Sequence, residues 1–314
     1  MSKALVSIIV PVFNAEKHIA RCLGGLAAQK LAGIELLFIN DGSTDSSLAM
    51  LEKWKSENPN LNLRIITQKN QGVAAARNVG LDEAGGKYIM FCDSDDLFEP
   101  NACERMVSVM EADGELAFAQ CCVDVEVGEG DHSSARLWGI KSFTPEVFGK
   151  VDISDPAAIS QSFEFVLWNK IFRKSIIDEF QIRFPIVKAH EDDAFMYMLR
   201  SVAKSAVYIE DKLYHHLIRE DSLTSDYFRR DMKLRDDRTI VCAAVCEFFI
   251  RHKFIPAREA TLVKILSQQL RTCLPLFSEG EMGMIVGEIN KKYLEQQGIK
   301  LVFMPAKFIH VKKS

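Results

Sequence analysis

Residues 5–13, LVSIIVPVF, are nearly all apolar and rich in β-branched side chains, the pattern of a strand covered on both faces. Residues 15–30 follow as a helix, with Ile19, Leu23 and Leu26 on one face. A second strand is predicted over 34–45, IELLFINDGSTD, breaking at Asp41-Gly42. A helix over 46–56 and a short strand over 63–68 come next. GVAAARNVGLDEA predicts an Ala-rich helix, and KYIMFCD a fourth strand. Strands alternating with helices at this pace mean βαβ units and a parallel sheet.

The pattern loosens afterwards. ELAFAQCCVDVEV reads as a strand, GEGDHSS as a loop, and 139–156, with Pro145, Gly149 and Pro156, as a segment winding over the site. Residues 167–180 begin extended and become helical. EDDAFMYMLRSVA, 191–203, is a helix with its acids in the first turn. After about residue 227 the chain reads as wholly helical. Leu262, Ile265, Leu266, Leu270 and Cys273 form an apolar stripe there, and Ser278 with Glu281 has capping-box spacing.

Composition changes this picture little; the distribution of charge changes it more. The 314 residues are 48% hydrophobic and 26% charged, ordinary for a globular chain. Residues 251–314 carry eleven Lys and Arg against five Glu, a balance of +6. With a net charge of −4, the first 250 residues must carry −10. An acidic body with a basic tail argues against nucleic acid as the main partner. It leaves an anionic membrane surface, or a second copy in a homodimer, open for the tail. The eight cysteines include no Cys-x-x-Cys pair and read as small buried hydrophobes in a reducing cytoplasm. The N-terminal apolar run is short and interrupted by Pro11, and is expected to be neither signal peptide nor anchor.

The candidate chemistry lies at the strand ends. YIMFCDSDDLFEP, 88–100, runs from an apolar strand into Asp93, Asp95 and Asp96. A helix start would explain them, with Ser94 or Asp95 as N-cap. A hard-cation site would explain them too. In parallel sheets ligands bind beyond the carboxyl ends of the strands. Asn14, the run Asp41 to Asp45 and the run Asp93 to Asp96 would all face that rim. A helix cap accounts for one such cluster, but not for several.

VSIIVPVFNAEKHI, INDGSTDSS, NQGVAAARNVGL, CDSDD, WNKIFRKS, HEDDAF and YHHLIREDSLTS stand in an order that resembles family 2 nucleotide-sugar glycosyltransferases. The first four motifs are specific and the last three looser. The resemblance covers about 4–225 and implies an α/β GT-A fold, a Rossmann-like and mostly parallel central sheet flanked by helices. It sets the bounds 1–226 for a catalytic domain, with 1–110 binding the nucleotide sugar and 111–226 on the acceptor side. A C-terminal helical region, 227–314, would follow.

The resemblance also implies roles. Pro11, Phe13, Asn14 and Glu16 would line the base and ribose, although core packing would explain Phe13 equally. Asp41 would accept a hydrogen bond from a uracil N–H, or close an Asx-turn at Asp-Gly. Arg77 would bind the donor. Asp95 would bind Mn²⁺ or Mg²⁺, with Asp93 as ribose partner or second ligand, His215 or His216 completing the shell, and Asp96 behind them. Asp192 would be the base of an inverting transfer, beside Glu191. Trp168 could stack on a sugar or pack in the core, Lys170 reach the diphosphate or be solvated, and Arg219 and Ser222 contact the donor phosphates. The implied enzyme moves a sugar from a UDP-sugar to a saccharide or lipid-linked acceptor in bacterial surface polysaccharide or lipooligosaccharide synthesis. It would work in the cytoplasm or at the inner face of the membrane.

Two rivals stand beside it. A sugar-1-phosphate nucleotidyltransferase would want a Gly-rich, basic loop after the first strand, and PVFNAEKHI has none. A non-catalytic nucleotide-sugar binder would not need Asp95 and Asp192 together.

Overall fold

The computed structural model describes residues 4–128, 148–153, 165–219, 234–255, 258–273, 279–304 and 307–313. Strand β1 (Val6–Val12) lies between β2 (Ile34–Asn40) and β4 (Tyr88–Phe91), with β3 (Leu63–Thr67) outside β2. All of these pairings are parallel. Their near-continuous apolar sequence has a direct cause, since both faces are covered. On one side α1 (Ile19–Ala27) packs Ile19, Cys22, Leu23 and Leu26 against Ile8 and Val10. On the other, α3 (Val73–Glu83) presses Gly80 onto β1 so closely that a Cβ there would lie 2.3 Å from Ile9.

Beyond β4 the sheet becomes mixed. Strand β8 (Lys170–Arg173) runs antiparallel between β4 and β6 (Leu116–Val127), and β9 (Ser205–Ile218) runs parallel to β6. The short strands β5 (Leu97–Phe98) and β7 (Gly149–Asp152) pair antiparallel to β9. Two reversals restore direction, so β9 runs in the sense of β4. Its last residues therefore reach the rim where β1, β2 and β4 end. That placement builds the site.

Helices α2 (Ser47–Glu57), α4 (Ala102–Ala112), α5 (Lys174–Glu179) and α6 (Glu191–Val202) complete the body. After them α7 (Leu234–Arg251), α8 (Glu259–Cys273) and α9 (Glu279–Ile289) share one hydrophobic cluster with the sheet. Val241, Val245, Phe249, Leu262 and Leu266 are buried in the cluster that holds Phe91, Phe172 and Phe195. Ile265 and Leu270 are buried too, as the stripe predicts. The seven described cysteines are all buried.

Several expectations are corrected. The first helix begins at Ile19 rather than 15, because the amides of Ala15 and Glu16 bond to Ser47 and Asp45 instead of entering a helix. No helix starts at Ser94 or Asp95; the chain turns there into β5, and α4 begins only at Ala102. The C-terminal stretch is not wholly helical. Gly298, at φ 69°, ends the helical run, and β10 (Ile299–Met304) pairs antiparallel with β11 (Lys307–Lys313). Pro145, Pro156, Ser222, Ser278 and the side chain of Cys273 lie outside the described residues.

Candidate active site

The side of the rim at the ends of β1 and β2 is a latch between two loops. Asn14 stands at φ 49°, a left-handed conformation that Asn tolerates better than most residues. Its Oδ1 accepts the Thr44 amide at 2.8 Å, and its own amide donates to Ser43 Oγ at 3.1 Å. Glu16 repeats the exchange, accepting from the Ser46 amide at 2.9 Å. Phe13 stands clear of this latch and is 50% exposed, which rules out core packing for it. Pro11 is half-buried within β1.

Asp41 ends β2 and is buried. It closes no Asx-turn onto Gly42. Its carboxylate reaches across to the β3–α3 loop and accepts from Gln68 Nε2 at 2.7 Å, the Gln71 amide at 2.9 Å and the Gly72 amide at 2.8 Å.

The other side of the rim is crowded with charge. Arg77 lies on a helix face turned inward and is only 7% exposed, unlike a solvent-facing arginine of an Ala-rich helix. It pairs with Glu191 and, through Nη2, with Asp93 Oδ1 at 3.2 Å. One guanidinium thereby joins the end of β4 to the first turn of α6. The ring of Phe184 lies 5.8 Å from it. Burial pushes the Asp93 carboxyl up to about 6, with Arg77 pulling it down and Asp96 and Asp95 adding repulsion. Burial and Asp96 raise Asp95 as well. Arg219 opposes that shift, placing Nε 2.7 Å and Nη2 2.6 Å from Asp95 Oδ2.

Asp96 is fully buried and accepts from three donors. They are Tyr214 Oη at 2.7 Å, His216 Nδ1 at 3.0 Å and the Leu217 amide at 2.8 Å. Tyr214 and His216 alternate onto one face of β9, and Trp168 lies between them. Its ring centroid is 4.8 Å from each, at 16° and 11°. With both faces covered and 6% exposure, Trp168 is not a sugar-stacking platform. His215 points the opposite way, between Glu99 at 2.6 Å and Glu126 at 3.1 Å, which removes it as a partner of Asp95. Burial disfavours the charged ring of His216, but the bond to Asp96 outweighs it and raises the pKa. Lys170 is not solvated; it is buried against the Val166 carbonyl and Asn169 Oδ1.

The third component is the start of α6. Glu191 is buried on Arg77, while Asp192 and Asp193 are half-buried. Burial, then the charges of Glu191 and Asp193, hold the Asp192 carboxyl well above the usual range, with Arg77 opposing. The sequence motifs did not point to Phe184, Asp237 or Arg238. Tyr214 and Asp193 stand inside the motifs YHHLIREDSLTS and HEDDAF but were given no role there.

The chemistry of the Asp93–Asp95 pair suits a divalent cation: oxygen donors, half-buried, with charges that repel one another. The geometry is not that of a closed ligand shell. Among the described residues no three His, Cys, Asp or Glu side chains converge as a metal site.

The carboxyl ends of the parallel half-sheet, where ligands bind in such folds, thus carry a latched loop pair on one side and an acidic rim facing an acidic helix start on the other. The model of the glycosyl transferase family 2 matches residues 7–178, more than half of the chain, and the protein belongs to that family. It is 30% identical over 234 residues to the putative glycosyltransferase EpsH of Bacillus subtilis, covering 73% of this chain and 65% of that protein. It is 31% identical to a poly(ribitol-phosphate) beta-glucosyltransferase of Bacillus spizizenii, covering 69% of this chain and 32% of that one. The matched part thus spans less than two thirds of these relatives' own length. Among solved structures, S. aureus TarS 1–349 in complex with UDP-GlcNAc superposes with TM-score 0.62 at 19% identity, covering 99% of this chain and 97% of the other. The mannosyltransferase PcManGT of Pyrobaculum calidifontis, in complex with GDP-Man and Mn²⁺, gives 0.54 at 15% identity, covering 95% and 84%. The GT-A fold expected from the motifs is the fold found.

Proposed function

We propose that this chain is an inverting glycosyltransferase that moves a sugar from a UDP-sugar to an acceptor hydroxyl, in the making of a bacterial surface polysaccharide or lipooligosaccharide. The observation that carries the reading is the Arg77 bridge. It ties the Asp93–Asp95 end of β4 to the helix start that bears Asp192, so the donor side and the acceptor side are held as one unit.

In this reading the acceptor oxygen attacks the anomeric carbon of the donor from the face opposite the diphosphate. The carbon–oxygen bond to UDP breaks with its electron pair on the diphosphate, and the acceptor proton passes to Asp192. A carboxyl raised above the ordinary range is a better proton acceptor than a free aspartate. Asp95 and Asp93, with His216, would hold Mn²⁺ or Mg²⁺, which when bound offsets negative charge on the leaving diphosphate. Arg219 already lies on Asp95 and adds a cation of the chain's own beside that leaving group. Asp96, by engaging His216 Nδ1, leaves Nε2 as the ring nitrogen turned to other work.

Phe13, Pro11, Asn14 and Glu16 line the base and ribose. A carboxylate offers about four acceptor sites. Asp41 uses two on Oδ1 and one on Oδ2 for its loop, so a further site on Oδ2 remains for a uracil N–H. Among the described residues no helix is long and apolar enough to cross a membrane. A lipid-linked acceptor would be met at the cytoplasmic membrane face, through the basic stretch that includes Lys307, Lys312 and Lys313.

The test is release of UDP from a panel of UDP-sugars, with GDP-mannose as a control, in Mn²⁺ or Mg²⁺ and with saccharide acceptors. Release from at least one UDP-sugar is expected. Turnover of GDP-mannose alone would overturn the UDP assignment, and every donor returned intact would overturn the enzyme.

A further inference from the structure

The backbone on both sides of Asp192 is held by the C-terminal helices. Upstream, Asp237 of α7 is buried, and its Oδ2 accepts the amides of Lys188 and Ala189, each at 3.2 Å. The next residue, His190, stands at φ 68°, a left-handed conformation that a histidine keeps only when its surroundings impose it. Downstream, the Asp193 carboxylate meets Gln269 Nε2 of α8 at 3.0 Å and Arg238 Nη1 of α7 at 3.4 Å. Arg238 also donates to Gln269 Oε1 at 2.6 Å, closing the group. These contacts come from helices beyond the span the family model matches. They act on the loop just before α6 and on Asp193, the residue that follows the proton acceptor in the first turn.

We infer that Asp237 and Arg238 are positioning residues, which fix the loop 188–190 and the first turn of α6 and so set where the Asp192 carboxylate meets the acceptor hydroxyl. The inference rests on Asp192 being the base. Misplacing a reacting group by about an ångström can cost roughly 10²-fold in rate. The donor side touches neither residue, so the loss should fall on kcat and leave donor KM unchanged.

Charge provides a second readout. The groups facing Asp192 are Glu191 and Asp193 on α6 and Arg77 on α3, and Asp193 is paired in turn with His190 and Arg238. Removing the Arg238 charge leaves Asp193 less compensated, so Asp192 keeps its proton to higher pH. The acid limb of kcat then moves to higher pH in Arg238→Met and returns in Arg238→Lys.

The experiment uses the full chain. Hydrogen exchange of the segment 186–193, which needs no substrate, is compared for wild type, Asp237→Ala and Asp237→Asn. kcat and donor KM are then measured with the UDP-sugar of fastest release. Asp237→Ala should exchange faster across this segment and lose about tenfold or more in kcat. The amide oxygen of Asp237→Asn can still accept both amides and should recover most of each. Unchanged exchange in Asp237→Ala, or faster exchange with unchanged kcat, overturns the inference. So does a loss in Arg238→Met that is independent of pH. If Asp192→Asn keeps full turnover, the base assignment fails instead, while the exchange data still report whether α7 holds the loop.

Discussion

The two sides of the rim are built on opposite electrostatic plans. At the ends of β1 and β2 the polar groups satisfy one another: Asn14 and Glu16 are latched to the 43–46 turn, and Asp41 takes three donors from the neighbouring loop. At the ends of β4 and β9 and the start of α6, carboxylates crowd together. Asp93, Asp95 and Asp192 are all pushed above the usual range, and Arg77 and Arg219 offset them only in part. The first side is preorganised and settled. The second is short of positive charge until something cationic or protic arrives. A nucleotide needs the first, and bond cleavage with proton transfer needs the second.

The largest effect should come from the crowded side. Asp95→Ala should bring UDP release below detection while the circular dichroism spectrum stays native, and a chelator should do the same to wild type. Full activity in the chelator would remove the cation from the crowded side and break the contrast.

Arg77 comes next, because it is buried and joins the buried Glu191 to the half-buried Asp93. Removing one partner of a buried ion pair costs about 3–5 kcal/mol. Arg77→Met should therefore lower stability by about 3 kcal/mol in denaturant titration. The double change Arg77→Met with Glu191→Met should recover part of that loss, since the buried Glu191 charge goes with its partner and only the half-buried Asp93 still faces Arg77's place. A double variant as unstable as the sum of two singles would show the pair is not coupled.

The settled side should respond more mildly and in another parameter. Asn14→Ala removes the latch acceptor and puts at positive φ a residue that tolerates it less well than Asn, costing about 1–2 kcal/mol. Donor KM should rise while kcat holds, as steady-state kinetics would report. A fall in kcat of the same size would mean that the two sides are not separate in function.

How much of this was legible follows from the same contrast. The first four strands could be read because helices cover both faces of that half-sheet, which forces continuous apolar runs such as Val6–Val12. The clusters after them were legible because they sit at strand ends. Strand β9 was missed because Glu210, Asp211 and Lys212 interrupt its alternation; they lie where its pairing with β6 slips register, Asp211 and Lys212 bonded to Arg105 and Asp124. Without β9 the positions of His216 and Arg219 could not be derived. The burial of Arg77 was hidden too, since AAARN reads alike on either face of a helix. For Lys170 and Trp168 the residue types left the role open; packing from β9 and the 166–169 turn buries both, which gives Trp168 its core reading and Lys170 a place that neither of its readings foresaw.

The central claim is that the crowded side ends in a base at Asp192. Single-turnover transfer by Asp192→Asn against Glu191→Gln tests it most directly, with UDP affinity measured by calorimetry. Asp192→Asn should slow transfer by roughly 10²-fold or more and leave UDP affinity unchanged, while Glu191→Gln, which loses its pairing with Arg77, should chiefly lose stability. Asp192→Asn transferring at the wild-type rate, with Glu191→Gln inactive but folded, would contradict the account.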